Sequence, residues 1–334
     1  MNWDMIGHEW AVDLLHEHVA QSQVRHAYLF TGPQGIGRRT LALRFAQALN
    51  CPQPIAPGQP CLACSTCKRF LGMAHPDLSV IQAEQVGGIL KVEQIRELQH
   101  SLSLSPYESR FRVALLLRFE EAHPSAANAL LKTLEEPSSQ VILILTAESS
   151  ESLLPTIVSR CEVLRLRPLA VERVQSGLIG SLKMSPEKAR LLAHLSGGRP
   201  GFAINLYEHP EEIEQRTKWI EDLVRLISAS RVERFAYADA LSKNKEDLRL
   251  VLGTWLSYWR DVTLLTAQTG IPVTNEDWAR QLDELVEHLD LQAAHRTLKR
   301  VEQSLQLLDR NVNARLILEV LMLDIPRLVV KPLK

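Results

Sequence analysis

The sequence predicts a parallel α/β domain followed by an all-helical C-terminal half. Three observations carry that expectation. Short apolar runs, suited to strands buried on both faces, alternate with helix-patterned stretches up to residue 166. The first of those runs ends in a glycine-rich turn that leads into a helix-prone stretch. Beyond Pro168 the strand signal stops, and apolar residues recur at helical spacing.

The chain has 334 residues, is 46% hydrophobic and 23% charged, and carries a formal net charge of -1. That length and composition suit about two or three globular domains. The balanced charge offers no global attraction to nucleic acid or membrane, although a local basic face stays possible. Met1-Asn2-Trp3-Asp4 is acidic and opens no apolar segment, so no signal peptide is expected. No apolar run is long enough to span a bilayer. A cytoplasmic location follows as the expectation, and reduced cysteines there favour metal ligation over disulfides.

Residues 1–25 read as a lead-in and an amphipathic helix, with Trp10, Val12, Leu14, Leu15 and Val19 as its apolar positions. His26 to Phe30 is a strand, and Leu41 to Leu49 a helix. Between them Gly32-Pro33-Gln34-Gly35-Ile36-Gly37-Arg38-Arg39 has the layout of a P-loop, whose amides and helix N-terminus face a phosphate. The full pattern needs Lys at position 38 and a hydroxyl at position 39. Arg38 is a wide planar fork where a compact point charge belongs. Arg39 replaces the hydroxyl that would bind Mg²⁺ and brings a cation to the metal's position. The frame of a nucleotide site is present with its chemistry altered, though the two arginines could still attract a stray phosphate.

Cys51, Cys61, Cys64 and Cys67 follow, the last three in C-x-x-C-x-x-C spacing. Four thiolates can complete a tetrahedral zinc site with no open position, which makes it structural; the alternative is a set of buried free thiols. His75-Pro76-Asp77 is a turn, Leu78 to Ile81 a strand, and Lys91 to Leu102 a helix with Val92, Ile95 and Leu98 on one face. Val113 to Leu117 is a buried strand. A hydrolysing ATPase would end it in Asp-Glu, for Mg²⁺ and for the attacking water. Here Arg118 and Phe119 follow, and Glu120 and Glu121 come late, where they could cap the next helix; a shift in the strand end would instead make them the catalytic carboxylates, though with Arg118 still at the site. Ala126 to Glu136 is that helix, stopped by Pro137; Val141 to Leu145 and Val163 to Leu166 are further strands. Residues 169–207 hold two or three short helices broken at Gly197-Gly198-Arg199-Pro200-Gly201. His209-Pro210 reads as a linker. From Glu211 on the pattern is helical, with Trp219, Trp255, Trp259 and Trp278 as large core candidates. The last helix, Val312 to Leu323, is either domain core or an oligomer contact.

Several of these stretches resemble one family. They are His26 to Thr40, the four cysteines, Asn128-Ala129-Leu130-Leu131-Lys132-Thr133-Leu134-Glu135-Glu136-Pro137, Ser159-Arg160-Cys161, and Asn311-Val312-Asn313-Ala314-Arg315-Leu316. Together they span nearly the whole chain, and they look like the bacterial DNA polymerase III clamp-loader subunits of the AAA+ class, most closely the delta-prime branch. The glycine turn alone is not specific; the Leu-Leu-Lys-Thr-Leu-Glu-Glu-Pro run and the Ser-Arg-Cys triplet are.

The resemblance implies a RecA-like AAA+ domain over 1–167 with an inserted zinc module at 51–67, a small helical lid over 168–208, and an all-α collar over 209–334. It implies Zn²⁺ as a structural cofactor and no working ATP site. The partners it implies are the gamma/tau motor subunits and the delta subunit in a hetero-pentameric ring that loads a sliding clamp on primed DNA. The tau form carries a long C-terminal extension, whereas this sequence stops at Lys334. Carried over from the family, Arg160 projects into a neighbour's ATP site as an arginine finger, Ser159 orients its loop and Cys161 packs. A bland reading of Arg160 is a surface ion pair. Thr146 and Arg199 match nucleotide-sensing positions, with a plain helix break as the alternative for Arg199. Two other readings compete: an active motor subunit with an atypical P-loop, and a nucleic-acid-binding zinc protein in which Lys68 and Arg69 supply the local basic face.

Overall fold

A computed structural model of the chain describes residues 3–85, 87–310 and 312–327; Met1, Asn2, Asn311 and Lys334 lie outside them. The chain divides into two compact units, one running to Lys183 together with Gly198–Phe202, the other Met184–Gly197 together with Ala203 onward.

The first unit contains α1 (Glu9–Ala20), β1 (Ala27–Thr31), α2 (Arg38–Asn50), α3 (Ser65–Leu71), β2 (Leu78–Ile81), α4 (Val92–Leu102), β3 (Arg112–Leu116), α5 (Pro124–Glu135), β4 (Val141–Ala147), α6 (Pro155–Val158), β5 (Glu162–Arg165) and α7 (Val171–Leu182). The strands form one sheet in the order β2-β3-β4-β1-β5. Every neighbouring pair is parallel. Successive strand residues point to opposite faces, and both faces are covered. Tyr28, Phe30, Val113, Leu115, Ile142 and Ile144 pack with Val12, Leu15, Leu41 and Phe45 of α1 and α2. Ala27, Leu29, Ala114, Leu116, Leu143 and Leu145 pack against α4 and α5 through Ile95, Leu98, Leu130 and Leu134. Burial on two sides is the reason these strands read as continuous apolar runs. Trp10 departs from the expected helix face: α1 buries Ala11, Val12 and Leu15, and Trp10 is 51% exposed. Trp3 fills the core instead, stacked on Phe45 with ring centroids 6.4 Å apart.

The second unit is helical, with α8 (Pro186–Leu195), most of α9 (Pro200–Glu208), α10 (Pro210–Ser228), α11 (Arg231–Leu241), α12 (Lys245–Thr266), α13 (Ala279–Val286), α14 (Leu291–Asp309) and α15 (Ala314–Asp324). His209-Pro210 is not a linker. His209 alone separates α9 from α10, and Pro210 opens α10, where its missing N–H is no loss. The core holds Trp255, Tyr258 and Trp259 fully buried, with Trp219 and Trp278 packed half-buried at its edge. The Trp255 indole N–H donates to the Trp219 carbonyl at 2.9 Å. No helix of the described residues is long and apolar enough to cross a membrane.

One buried cation joins the ends of two helices in this unit. Arg234 donates from Nε to Leu226 O at 2.8 Å and from Nη2 to Ile227 O at 3.1 Å, at the end of α10. Its Nη1 reaches Met322 O at 2.9 Å and Ile325 O at 2.8 Å, and Nη2 also reaches Pro326 O at 3.1 Å, at the end of α15. Helix C-termini present unsatisfied carbonyls and a partial negative charge, so a guanidinium buried between two of them satisfies both. Arg234→Leu is expected to cost about 3 kcal/mol, because it strands buried carbonyls. A urea titration followed by tryptophan fluorescence reads the loss as a lower midpoint.

Candidate functional site

The glycine turn lies at the carboxyl end of β1, and the expected backbone is there. Gly32, Gly35 and Gly37 have φ of +144°, +79° and +111°, values side chains rarely adopt. Gly32 N–H donates to Ala147 O at 3.2 Å and Glu148 O at 3.1 Å, which ties the turn to the end of β4. Gly35 O accepts from Gly201 N–H at 2.8 Å and Phe202 N–H at 3.3 Å. A Cβ at Gly35 would lie 2.7 Å from the Phe202 Cβ. The start of α9 therefore closes directly on the turn. Phe202 was invisible to the sequence reading, since nothing in the pattern pairs it with Gly35.

Arg38 opens α2 and is buried, and among the described residues its Nη1 has no hydrogen-bond partner. Burial holds its pKa below that of a free guanidinium, while the Glu120 and Glu148 carboxylates oppose that effect. The group nevertheless stays charged in water at any physiological pH. Burial in turn raises the Glu120 carboxyl above its ordinary range, with Arg38 pulling it back and Glu148 adding to the rise. Arg38 thus faces acids of its own chain. Arg39 is exposed.

Arg118 stands where the strand-end Asp of an ATPase would stand. Its φ is +49°, its N–H donates to the buried Thr146 Oγ1 at 3.0 Å, and its Nε donates to Glu121 Oε1 at 2.9 Å. Glu121 Oε1 also accepts from Gly87 N–H at 2.8 Å. Glu120 and Glu121 do not cap the next helix as expected. They belong to a separate turn, Phe119–Glu121, and His123 caps α5. Arg199 lies in the break between α8 and α9, after Gly197 and Gly198 with φ of +57° and +80°. Its guanidinium stacks over the Phe202 ring at 4.4 Å, and burial lowers its pKa.

The four cysteines come together. One sulfur from each of Cys51, Cys61, Cys64 and Cys67 lies within 4.8 Å of all the others. Cys51 and Cys61 sulfurs are 3.5 Å apart, Cys61 and Cys67 sulfurs 4.0 Å. Four thiolates each about 2.3 Å from a common zinc would be about 3.8 Å from one another, so the donor set fits such an ion. Backbone N–H groups already point at sulfur: Cys64 N to Cys61 Sγ at 3.3 Å and Cys67 N to Cys64 Sγ at 3.4 Å. The first of these brings the Cys61 thiol down to about 6. Burial pushes the Cys67 and Cys51 thiols up, and a bound cation would favour ionisation of both. Next to this cluster Arg69 pairs with Glu108.

Arg160 lies at the opposite end of the sheet. Ser159 caps α6, with its hydroxyl donating to Thr156 O at 3.2 Å, and Arg160 follows just ahead of the edge strand β5. The side chain is 35% exposed and pairs with Glu135, Nη2 to Oε1, at 2.8 Å. Cys161 packs against the core, where burial pushes its thiol up to about 12.

Five parallel strands covered by helices, a left-handed glycine turn ahead of α2 with arginine at positions 38 and 39, and a Ser-Arg-Cys loop ahead of the edge strand make this unit a parallel α/β domain with a glycine turn at the end of its first strand. Two family profiles match, one described as "DNA polymerase III, delta subunit" over residues 7–170, the other as its C-terminal part over residues 210–326. The chain is 29% identical over 314 residues to DNA polymerase III subunit delta′ of Bacillus subtilis, covering 93% of each chain. It is 37% identical over 221 residues to subunit delta′ of Pseudomonas aeruginosa, covering 65% of this chain and 66% of that one. It is also 32% identical over 208 residues to subunit tau of Escherichia coli, covering 61% of this chain and 32% of that one. The chain belongs to the delta′ family of DNA polymerase III clamp-loader subunits.

The packing of α9 on the turn makes one prediction independent of any ligand. Gly35→Ala should destabilise the protein by about 1–3 kcal/mol with no nucleotide present, through strain at positive φ and collision with Phe202. Wild-type stability of that variant in urea would contradict the packing argument.

Proposed function

We propose that the chain is a non-hydrolysing clamp-loader subunit that acts on a neighbour's nucleotide through Arg160. The observation that carries this is the separation of Arg160 from the chain's own phosphate turn. The turn follows Thr31, which pairs with Arg165 at the end of β5, and Arg160 precedes that strand. Four residues of β5 at about 3.3 Å each put roughly 13 Å of strand between the two ends. A guanidinium there cannot reach a phosphate held at Gly32–Arg38 of the same molecule. It can reach one held by a subunit packed on that edge, where it would stabilise charge developing on the transferred phosphoryl group.

The chain's own turn is poorly suited to a triphosphate. Glu120 and Glu148 supply negative charge beside Arg38, Arg118 replaces the metal-binding carboxylate, and the start of α9 closes on Gly35. On this reading the subunit acts without binding ATP of its own. The partners are the gamma/tau motor and delta subunits in a hetero-pentameric ring, with clamp and primed DNA met through the complex in the cytoplasm. Residues 1–167, 168–208 and 209–334 act as nucleotide-type domain, lid and collar. The four cysteines hold a structural Zn²⁺, which cross-links Cys51 to the start of α3 and supplies no reaction step.

The purified subunit should show no ATPase activity, and converting Arg38→Lys and Arg39→Thr should not create it, since the strand-end carboxylate is still missing. In a reconstituted loader, Arg160→Ala should lower DNA-stimulated ATPase by about 10³-fold at the site it serves. ATP turnover by the lone subunit at motor rates would sink this reading. Metal analysis should find about one zinc per chain, released as acid protonates the thiolates. Cys64→Ser should lower that content and the thermal midpoint together.

A further inference from the structure

We propose that Glu135 is a positioning residue for Arg160, orienting the guanidinium that the neighbour's nucleotide receives. The proposal rests on the trans-acting reading of Arg160 and adds to it the group that sets its direction.

The guanidinium is held at two points by two different elements. Nη2 donates to Glu135 Oε1 at 2.8 Å, from the last residue of α5. Nη1 donates to Thr156 O at 2.8 Å, in α6. Two bonds to separate nitrogens of a planar group fix its plane as well as its place. An arginine offers five N–H donors. With one hydrogen of each Nη committed, Nε–H and the second hydrogen of each Nη remain, and among the described residues none of these has a partner. The side chain is 35% exposed, so those donors can face a phosphoryl group brought from outside.

The position of Glu135 argues against a purely local role. It closes α5, where the helix dipole is negative and disfavours a carboxylate. Helix stability alone would place a cation there. Glu136 beside it is exposed and, among the described residues, has no ionic partner. An ion pair this accessible contributes little to folding. What it can do is remove rotational freedom from a long side chain before the neighbour's nucleotide arrives, so that less orientation is left to achieve in the transition state.

The test uses the loader reconstituted from the full-length subunits, reading kcat and KM for DNA-stimulated ATP hydrolysis, with assembly checked by size-exclusion chromatography. Glu135→Ala should lower kcat about tenfold with KM unchanged, the pattern of an interaction used in the transition state alone. Glu135→Gln keeps an acceptor oxygen at the same reach and should retain most of the activity. Glu136→Ala should behave as wild type. Glu135→Ala combined with Arg160→Ala should be no slower than Arg160→Ala alone, because a positioning residue has nothing left to position. Three results would overturn the proposal: wild-type or raised kcat in Glu135→Ala, a fall in Glu135→Gln as deep as in Glu135→Ala, or losses that multiply in the double variant. If Arg160→Ala itself turned over normally, the finger reading would fall, a result distinct from failure of Glu135 alone.

Discussion

All five strands run the same way, and that common direction is what everything else in the first unit depends on. A parallel ladder places every strand's carboxyl end on one edge of the sheet and every amino end on the other. The connections after the strands then collect on one edge: the glycine turn after β1, Arg118 after β3, Thr146 and Glu148 at the end of β4. The segments before the strands collect on the other: Arg160 before β5, and Glu135 shortly before β4. One molecule thus carries a glycine turn and a partly exposed guanidinium, held by Glu135 and Thr156, at opposite ends of the sheet. Neither can serve the other within a single chain. On the proposed reading, an assembly that stacked such subunits edge to edge would bring one subunit's guanidinium to the next subunit's turn, with the same sheet supporting both parts.

The altered turn is more than a P-loop with side chains exchanged. A helix N-terminus draws anions because its first N–H groups lack partners and its dipole is positive there. In this chain that potential is offset from within. Glu120 and Glu148 sit close enough to Arg38 to perturb it, and Arg38 perturbs Glu120 in return. The α9 start also packs on the turn, since Gly35 O accepts from two of its amides. The arginines at positions 38, 39 and 118 are therefore accompanied by contacts that tie the turn to acids and amides of the same chain.

Much of this was legible in the sequence, because its signals are local. The glycines needed positive φ, the strands were buried on both faces, and the cysteine spacing could only be short-range geometry. Each of these is a statement about residues near one another in the chain. What escaped reading depends on distant residues meeting. Phe202 lies on Gly35 across 167 positions, and Arg234 reaches carbonyls 88 to 92 residues away; the intervening sequence has no periodicity that announces either. The errors had the same root. Glu120 and Glu121 looked like helix caps because acids before a helix usually are, but αL geometry at Arg118 turned them back toward Arg118, Gly87 and Arg38. His209-Pro210 looked like a break because proline ends helices. Here it begins one, and a single residue separates two helices without a loop.

The arginines singled out along the way differ in one respect that bears on function. Arg234 commits its donors to five carbonyls of its own unit, and Arg118 is paired with Glu121 and fixed by Thr146. Arg38 is buried beside carboxylates. Arg234 and Arg118 fasten the fold, and removing either leaves acceptors of the same chain short of a donor. Arg160 is held more lightly, by one carboxylate oxygen and one carbonyl, at a place solvent can reach. The number of donors left over is the physical difference between a structural arginine and one that can act elsewhere. A guanidinium fully satisfied at home would have to break bonds before stabilising a developing charge, and one held at no point would have to lose its freedom first. Arg160 lies between those limits, with its plane set and most of its donors still available.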